Sequence, residues 1–199
     1  MGRRALCAID GVGGSGKTTF AARLAQRIDS RPVVVLHADD FFHPSAVRHA
    51  RGRYSPEGFW LDTYNYDALV TWALAPLRAG QPYRASSFDP VRDEVMRPEA
   101  IPAAHDALVL VEGTFLHRDE LVTLWDWSAY LYVSTEEASR RMARRAGSSP
   151  DPRVLRRYDG AQRIYAAAAK PQERASLVVD NSDLGDPRII DVPGDDVVA

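Results

Sequence analysis

The sequence predicts an α/β fold, a three-layer sandwich built on a mostly parallel, five-stranded sheet with helices on both faces. Two observations carry this. Five short apolar runs occupy residues 5–9, 32–38, 107–113, 128–134 and 176–181. They are continuous rather than alternating, as in strands covered on both faces. Helical segments separate them, beginning with TTFAARLAQRI, in which Phe20, Leu24 and Ile28 share one face.

Taken in order, ALCAI leads into a glycine loop, and the apolar run of the N-terminus ends too early for a secretion signal. PVVVLHA is β-branched and suits a buried strand, and ALVLVEG, SAYLYVS and SLVVDN repeat the pattern. Residues 43–66 and 81–105 are longer than simple connections and rich in Pro, Arg and aromatics. Segments of that length are expected to build a substrate site or a lid. DVPGDDVVA reads as an exposed tail, so one domain is expected over residues 1–190 and a tail over 191–199.

Composition narrows the class. The formal charge of −2 gives no global basic field, so nucleic acid is not an expected partner. Cys7 is the one cysteine and sits in an apolar run, which suits a small core residue in a reducing compartment. No apolar run is long enough to span a bilayer, and a cytoplasmic location is expected.

The chemistry starts at Gly11-Val12-Gly13-Gly14-Ser15-Gly16-Lys17-Thr18, which fits the phosphate-loop pattern G-x-x-x-x-G-K-[ST] between a strand and a helix. Glycines let backbone N–H groups curl around phosphate oxygens, and the helix start adds a positive dipole end. Gly11, Gly13, Gly14, Ser15, Gly16, Lys17, Thr18 and Thr19 are the expected ATP-binding residues. Lys17 is expected to reach the β- and γ-phosphates and Thr18 to hold Mg²⁺. Glu112 ends the strand LVLVE, where ligands of open α/β sheets gather. A carboxylate there can bind Mg²⁺ directly or orient its water. HADDFF, residues 37–42, sets two carboxylates at a second strand end, and either Asp39 or Asp40 could accept a proton from an attacking hydroxyl. A strand-end structural role is the expectation for His37. Residues 140–157 hold seven arginines against one acid, Asp151, with a GSSPDP break. An arginine flap over a transferring phosphoryl group and a solvated helix face both fit this segment, and a nucleic-acid patch fits less well.

Together these motifs resemble the uridine kinase/phosphoribulokinase branch of P-loop small-molecule kinases over roughly residues 5–181. DDFF is similar to the D-x-F-[YF] element of that family, which implies Asp39 as the base, with Asp40 beside the acceptor. YNYDAL resembles the family's acceptor-holding element and implicates Tyr64 and Asp67. SSFDPVRDE is similar to its acceptor-lining segment and implicates Phe88, Asp89 and Arg92. The arginine cluster resembles the family lid, about residues 140–157, with Arg141 and Arg145 as the implied phosphate contacts. The H-P that follows the family's N-x-D element is replaced by Ala68-Leu69, and the histidine that reads a pyrimidine has no counterpart. The resemblance implies an ATP- and Mg²⁺-dependent phosphotransferase acting on a small-molecule hydroxyl, uridine or cytidine first. A sugar, pantothenate or nicotinamide riboside comes second, and a non-kinase ATPase is the competing class. A homo-oligomer is compatible with this reading.

Overall fold

β1 (Ala5–Gly11) is the centre of the molecule, with five consecutive residues from Leu6 to Asp10 buried. The structure, a computed structural model, describes residues 4–146 and 151–190. From β1 the chain turns through the glycine loop into α1 (Lys17–Arg27) and returns as β2 (Val33–His37). A 3₁₀ turn, Ala38–Phe41, carries Asp39 and Asp40. The first long connection then folds into α2 (Ser45–Arg48) and α3 (Pro56–Asp62). α4 (Tyr66–Ala68) continues through a π-helical stretch, Leu69–Leu74, into α5 (Ala75–Arg78). The second connection forms a small hairpin of β3 (Phe88–Asp89) and β4 (Glu94–Val95). The remaining order is β5 (Leu108–Gly113), α6 (Asp119–Val122), β6 (Trp127–Tyr132), α7 (Thr135–Ala146), α8 (Pro152–Ala169), α9 (Pro171–Arg174), β7 (Leu177–Asp180) and β8 (Arg188–Ile190).

The main sheet has the order β2-β5-β1-β6-β7-β8. The five strands expected from the apolar runs are all present and parallel. A sixth corrects the expected count: β8 pairs antiparallel with β7. It leaves no signal in the hydrophobic pattern because it is three residues long and mostly exposed, so it makes no buried apolar run.

Side chains alternate between two cores. Leu6, Ala8, Val109, Val111 and Leu36 face α3, the α4–α5 segment and α8. Cys7, Ile9, Leu110, Leu131 and Val179 face α1 through Ala21, Phe20 and Leu24. Each parallel strand is therefore apolar on both faces, which explains the unbroken runs. Burial pushes the Cys7 thiol up to about 11, as befits a core residue.

Part of the break in the arginine segment is a helix start. Asp151 is the N-cap of α8, its carboxylate accepting from the Arg153 N–H at 2.8 Å, with Pro152 next in the first turn. Residues 147–150 of the expected lid and the expected tail, 191–199, lie outside the described residues. α3 packs closely on α8 at Gly160, where a β-carbon would come within 2.6 Å of the Pro56 ring. None of the described helices is long and apolar enough to cross a membrane.

Candidate active site

Parallel strands deliver their C-terminal ends to one edge of the sheet, and the candidate site forms there. Gly16, in the left-handed region at φ 90°, is the N-cap of α1. The Ser15 N–H closes the loop onto the Val12 carbonyl at 3.1 Å. Gly14 has φ 83°, and a β-carbon there would lie 2.5 Å from the Ala138 carbonyl oxygen at the start of α7. Only glycine suits this contact. The side-chain amide of Asn181 donates to the Ser15 carbonyl at 2.6 Å and fastens the loop to the end of β7.

Beneath the loop lies a buried network that no sequence motif announces. Asp10 has no exposed surface. Its carboxylate accepts from the N–H groups of Gly11, Phe115, Leu116 and His117, at 2.7 to 3.2 Å. It also accepts from His117 Nδ1 at 2.8 Å and from the Tyr165 hydroxyl. Burial by itself would raise the pKa of Asp10. The hydrogen bonds and charge of His117, with those of Tyr165 and Gly11, hold it below the ordinary aspartate value. The other His117 nitrogen meets Ser128 Oγ at 3.0 Å. One carboxylate thus joins β1, the segment after β5, β6 and α8. An acid at the end of a buried strand is the one signal in the sequence that could have found it.

A cleft of about 450 Å³ opens above this base. Gly13, Gly14, Gly16, Lys17, Thr18 and Thr19 line its floor. Lys17 Nζ donates to the carbonyls of Gly11 and Val12 at 2.9 Å each. Burial lowers its pKa, against the opposing pull of Glu112, Asp10 and Asp39. Thr18 Oγ1 donates to Glu112 Oε1 at 3.0 Å, and His37 Nδ1 lies 2.7 Å from the same oxygen. His37 and Glu112 are paired across β2 and β5, which explains the contact. A hydroxyl and a carboxylate side by side are hard oxygen donors. They fit a Mg²⁺ ion that draws its remaining ligands from water and phosphate.

Asp39 faces the same cleft from the 3₁₀ turn and accepts from the Tyr64 hydroxyl at 3.0 Å. Burial, reinforced by Glu112, raises its pKa, while Lys17, Tyr64 and His37 oppose the rise. A carboxylate raised in this way is better matched to accept a proton near neutral pH.

The other expected acceptor residues are dispersed. Asp40 is not part of the cleft lining, and its carbonyl accepts from the Ser87 N–H at 2.9 Å. Asp67 is exposed in the first turn of α4. Phe88 is buried behind Phe42, with ring centroids 6.2 Å apart. Asp89 caps its own hairpin turn by accepting from the N–H groups of Val91 and Arg92 at 2.9 and 3.1 Å. The Arg92 side chain is 73% exposed beside Asp89 and Glu94. Local turn chemistry explains these placements, since Asp caps turns readily. The walls come instead from Phe42, Phe59, Thr114 and the α8 residues Val154, Leu155, Tyr158 and Gln162. Their signals are the aromatics of the first long connection and the helical stretch after the arginines.

The two arginines expected to contact phosphate also differ. Arg145 lines the cleft with Met142. Arg141 does not, because its guanidinium donates to the carbonyls of Asn181 and Ser182 at 2.9 and 2.8 Å and pairs with Glu137 at 2.5 Å. It braces the glycine loop from behind.

No family model matches the chain. Human nicotinamide riboside kinase 1 is 27% identical over 144 residues, covering 72% of this chain and 66% of that protein. A possible uridine kinase from Bacillus stearothermophilus superposes with a TM-score of 0.69 at 24% identity, covering 89% of each chain. A putative fructose transport system kinase from Silicibacter sp. TM1040 gives 0.67 at 24% identity, covering 85% of this chain and 87% of the other. Both solved structures share the fold described above. The chain is therefore similar in sequence to a nicotinamide riboside kinase and in fold to proteins named as small-molecule kinases. The cleft combines a floor made by the glycine loop with a wall that includes Phe42, Phe59, Tyr64 and Tyr158.

Proposed function

We propose that the kinase transfers the γ-phosphate of ATP to a hydroxyl of a ring-bearing, hydroxylated metabolite. A ribonucleoside is the first candidate. The observation that carries this is Asp39, held by Tyr64 in the same cleft as Lys17 and the glycine loop. In this reading Asp39 takes the proton of the acceptor hydroxyl. The freed oxygen forms the new bond to the γ-phosphorus, and the bond to the bridging oxygen breaks, leaving ADP with the electron pair. Lys17 and Arg145 stabilise charge on the phosphoryl group as it moves. Thr18 and Glu112 would hold Mg²⁺, which neutralises phosphate charge when bound. Phe42, Phe59 and Tyr158 give an acceptor ring apolar surfaces to pack against, and Gln162 offers an amide.

Uridine and nicotinamide riboside, named for two of the similar proteins, head the acceptor list, with cytidine beside them. The test is ADP release from ATP with each acceptor present and absent, Lys17→Ala serving as blank. A kinase turns over slowly until its acceptor is added. Steady hydrolysis indifferent to every acceptor would make the protein a non-kinase ATPase.

A further inference from the structure

The face of α8 that reaches the cleft continues past it. Leu155, Tyr158 and Gln162 line the cleft and recur at the spacing of one helix face. The next residue on that stripe, Tyr165, is outside the cleft lining and only 1% exposed. Its ring packs on Phe115 and Trp60, with centroids 5.1 and 5.5 Å away. Its hydroxyl donates to Asp10 and accepts from the His117 N–H at 2.9 Å. Burial, the charge of Asp10 and the bond to it raise the Tyr165 pKa well above the ordinary tyrosine value, so the hydroxyl keeps its proton and acts as donor. The helix that carries one wall of the cleft is thus fastened to the carboxylate that precedes the glycine loop.

The same carboxylate holds the segment after β5. Phe115 has φ 71°, a left-handed conformation uncommon for an aromatic residue. The N–H groups of Phe115, Leu116 and His117 converge there on Asp10, at 3.2, 3.0 and 3.2 Å. Such backbone persists where its surroundings over-determine it. Just before it stand Glu112 and Thr114, both in the cleft lining, and Thr114 Oγ1 donates to the Gly11 carbonyl at 3.4 Å. The Gly11 N–H donates to Asp10 at 2.7 Å. Three parts of the cleft therefore share one buried carboxylate: the start of the loop, the end of β5 and α8. A shift of any one alters the hydrogen bonding of the other two.

We propose that Tyr165 is a positioning residue that couples the α8 wall to the phosphate loop. Occupation of the loop by a nucleotide firms the junction at Asp10, and Tyr165 carries that effect into the helix bearing Tyr158 and Gln162. Nucleotide and acceptor then each favour binding of the other by the same factor. The inference rests on the kinase reading and adds to it an order between the two ends of the cleft.

Tyr165→Phe removes the hydroxyl alone. The ring packing stays, and the His117 N–H keeps its bond to Asp10 at 3.2 Å, so no buried donor is stranded. Amide hydrogen exchange reads the coupling, with the non-hydrolysable analogue AMP-PNP and Mg²⁺ as the probe, so no acceptor is needed. In the wild type AMP-PNP should slow exchange at residues 11–19 and, by about fivefold, along residues 158–165, the scale of a modest coupling between sites. In Tyr165→Phe the loop protection should remain and most of the α8 protection should vanish. Equal α8 protection in variant and wild type would come from direct nucleotide contact and overturns the proposal. So does protection confined to the loop in the wild type. A purely structural role would lower Tm and speed α8 exchange in the free variant while leaving the AMP-PNP effect intact, which overturns it as well. No protection at residues 11–19 in the wild type would end the kinase reading and the proposal with it. Calorimetry supplies the second measurement. Uridine or nicotinamide riboside should bind the wild type about fivefold tighter with AMP-PNP present, and Tyr165→Phe with little difference. Wild-type affinity for both compounds that is indifferent to AMP-PNP overturns the proposal.

Discussion

The two ends of the cleft are built on opposite principles. At the phosphate end almost every polar group is committed. Asp10 serves four backbone N–H groups, a histidine and a tyrosine, Asn181 ties down the loop, and Arg141 braces it from behind. At the end proposed for the acceptor, aromatic rings form the wall, and Arg48 and Arg157 stand behind them. In the proposed reading the phosphate end meets the same geometry in every ATP, so it can be rigid and specified through backbone. An acceptor is recognised by a few side chains, which can change without disturbing the fold.

The contrast can be broken most severely at Asp10. Asp10→Ala strands four N–H groups and a buried histidine, so stability should fall by about 3–5 kcal/mol in urea denaturation. Because folding depresses the pKa of Asp10, its stabilising effect is complete above the ordinary value of 3.8 and is lost as pH falls through the depressed one. The gap between wild type and Asp10→Ala should therefore close only in strong acid, and a gap unchanged down to pH about 2 would contradict the ionised network. Lys17→Ala should next cost on the order of 10²–10³-fold in kcat with little change in melting temperature.

At the acceptor end, Asp39→Asn should lower kcat by about 10²-fold while ATP binding, read by calorimetry, persists. Near-normal turnover would remove Asp39 as the base, and transfer of the loss to Asp40→Asn would relocate it. Arg145→Ala should slow turnover about tenfold, whereas Arg141→Ala should act mainly by loosening the loop, raising the KM for ATP and lowering Tm. Equal kinetic effects would erase the distinction drawn between them. The smallest change is expected from Tyr64→Phe. Its hydroxyl favours the Asp39 carboxylate, so removing it should raise that pKa and move the acid limb of kcat/KM to higher pH. A limb that stays in place would mean that Asp39 does not set it.

Motifs whose chemistry is local were legible. The glycine loop was readable because its function is a backbone conformation written in glycines. Asp39 and Glu112 could be expected in one cleft because strand ends of a parallel sheet converge on one edge, Thr18 came with the glycine loop, and Tyr64 came only from a family resemblance; the structure brings all four to the same cleft. Asp67, Asp89 and Arg92 were implied as acceptor ligands by a family resemblance, yet they stand outside the cleft lining, at a helix start, a turn and an exposed position. Phe59 and Tyr158 lie 99 positions apart in the chain, and their rings meet 4.8 Å apart only because α3 packs on α8.

The parallel α/β sheet, the phosphate loop and the acids at the strand ends were already written in the order of residues. They depend on hydrophobic period and on residue types with strong local preferences. It took the folded chain to show which arginine faces the cleft, that Asp10 anchors the loop from beneath, and that half-buried guanidiniums back the acceptor wall. Each of those depends on which distant side chain or carbonyl a group meets, and that is fixed by packing between elements remote in the chain.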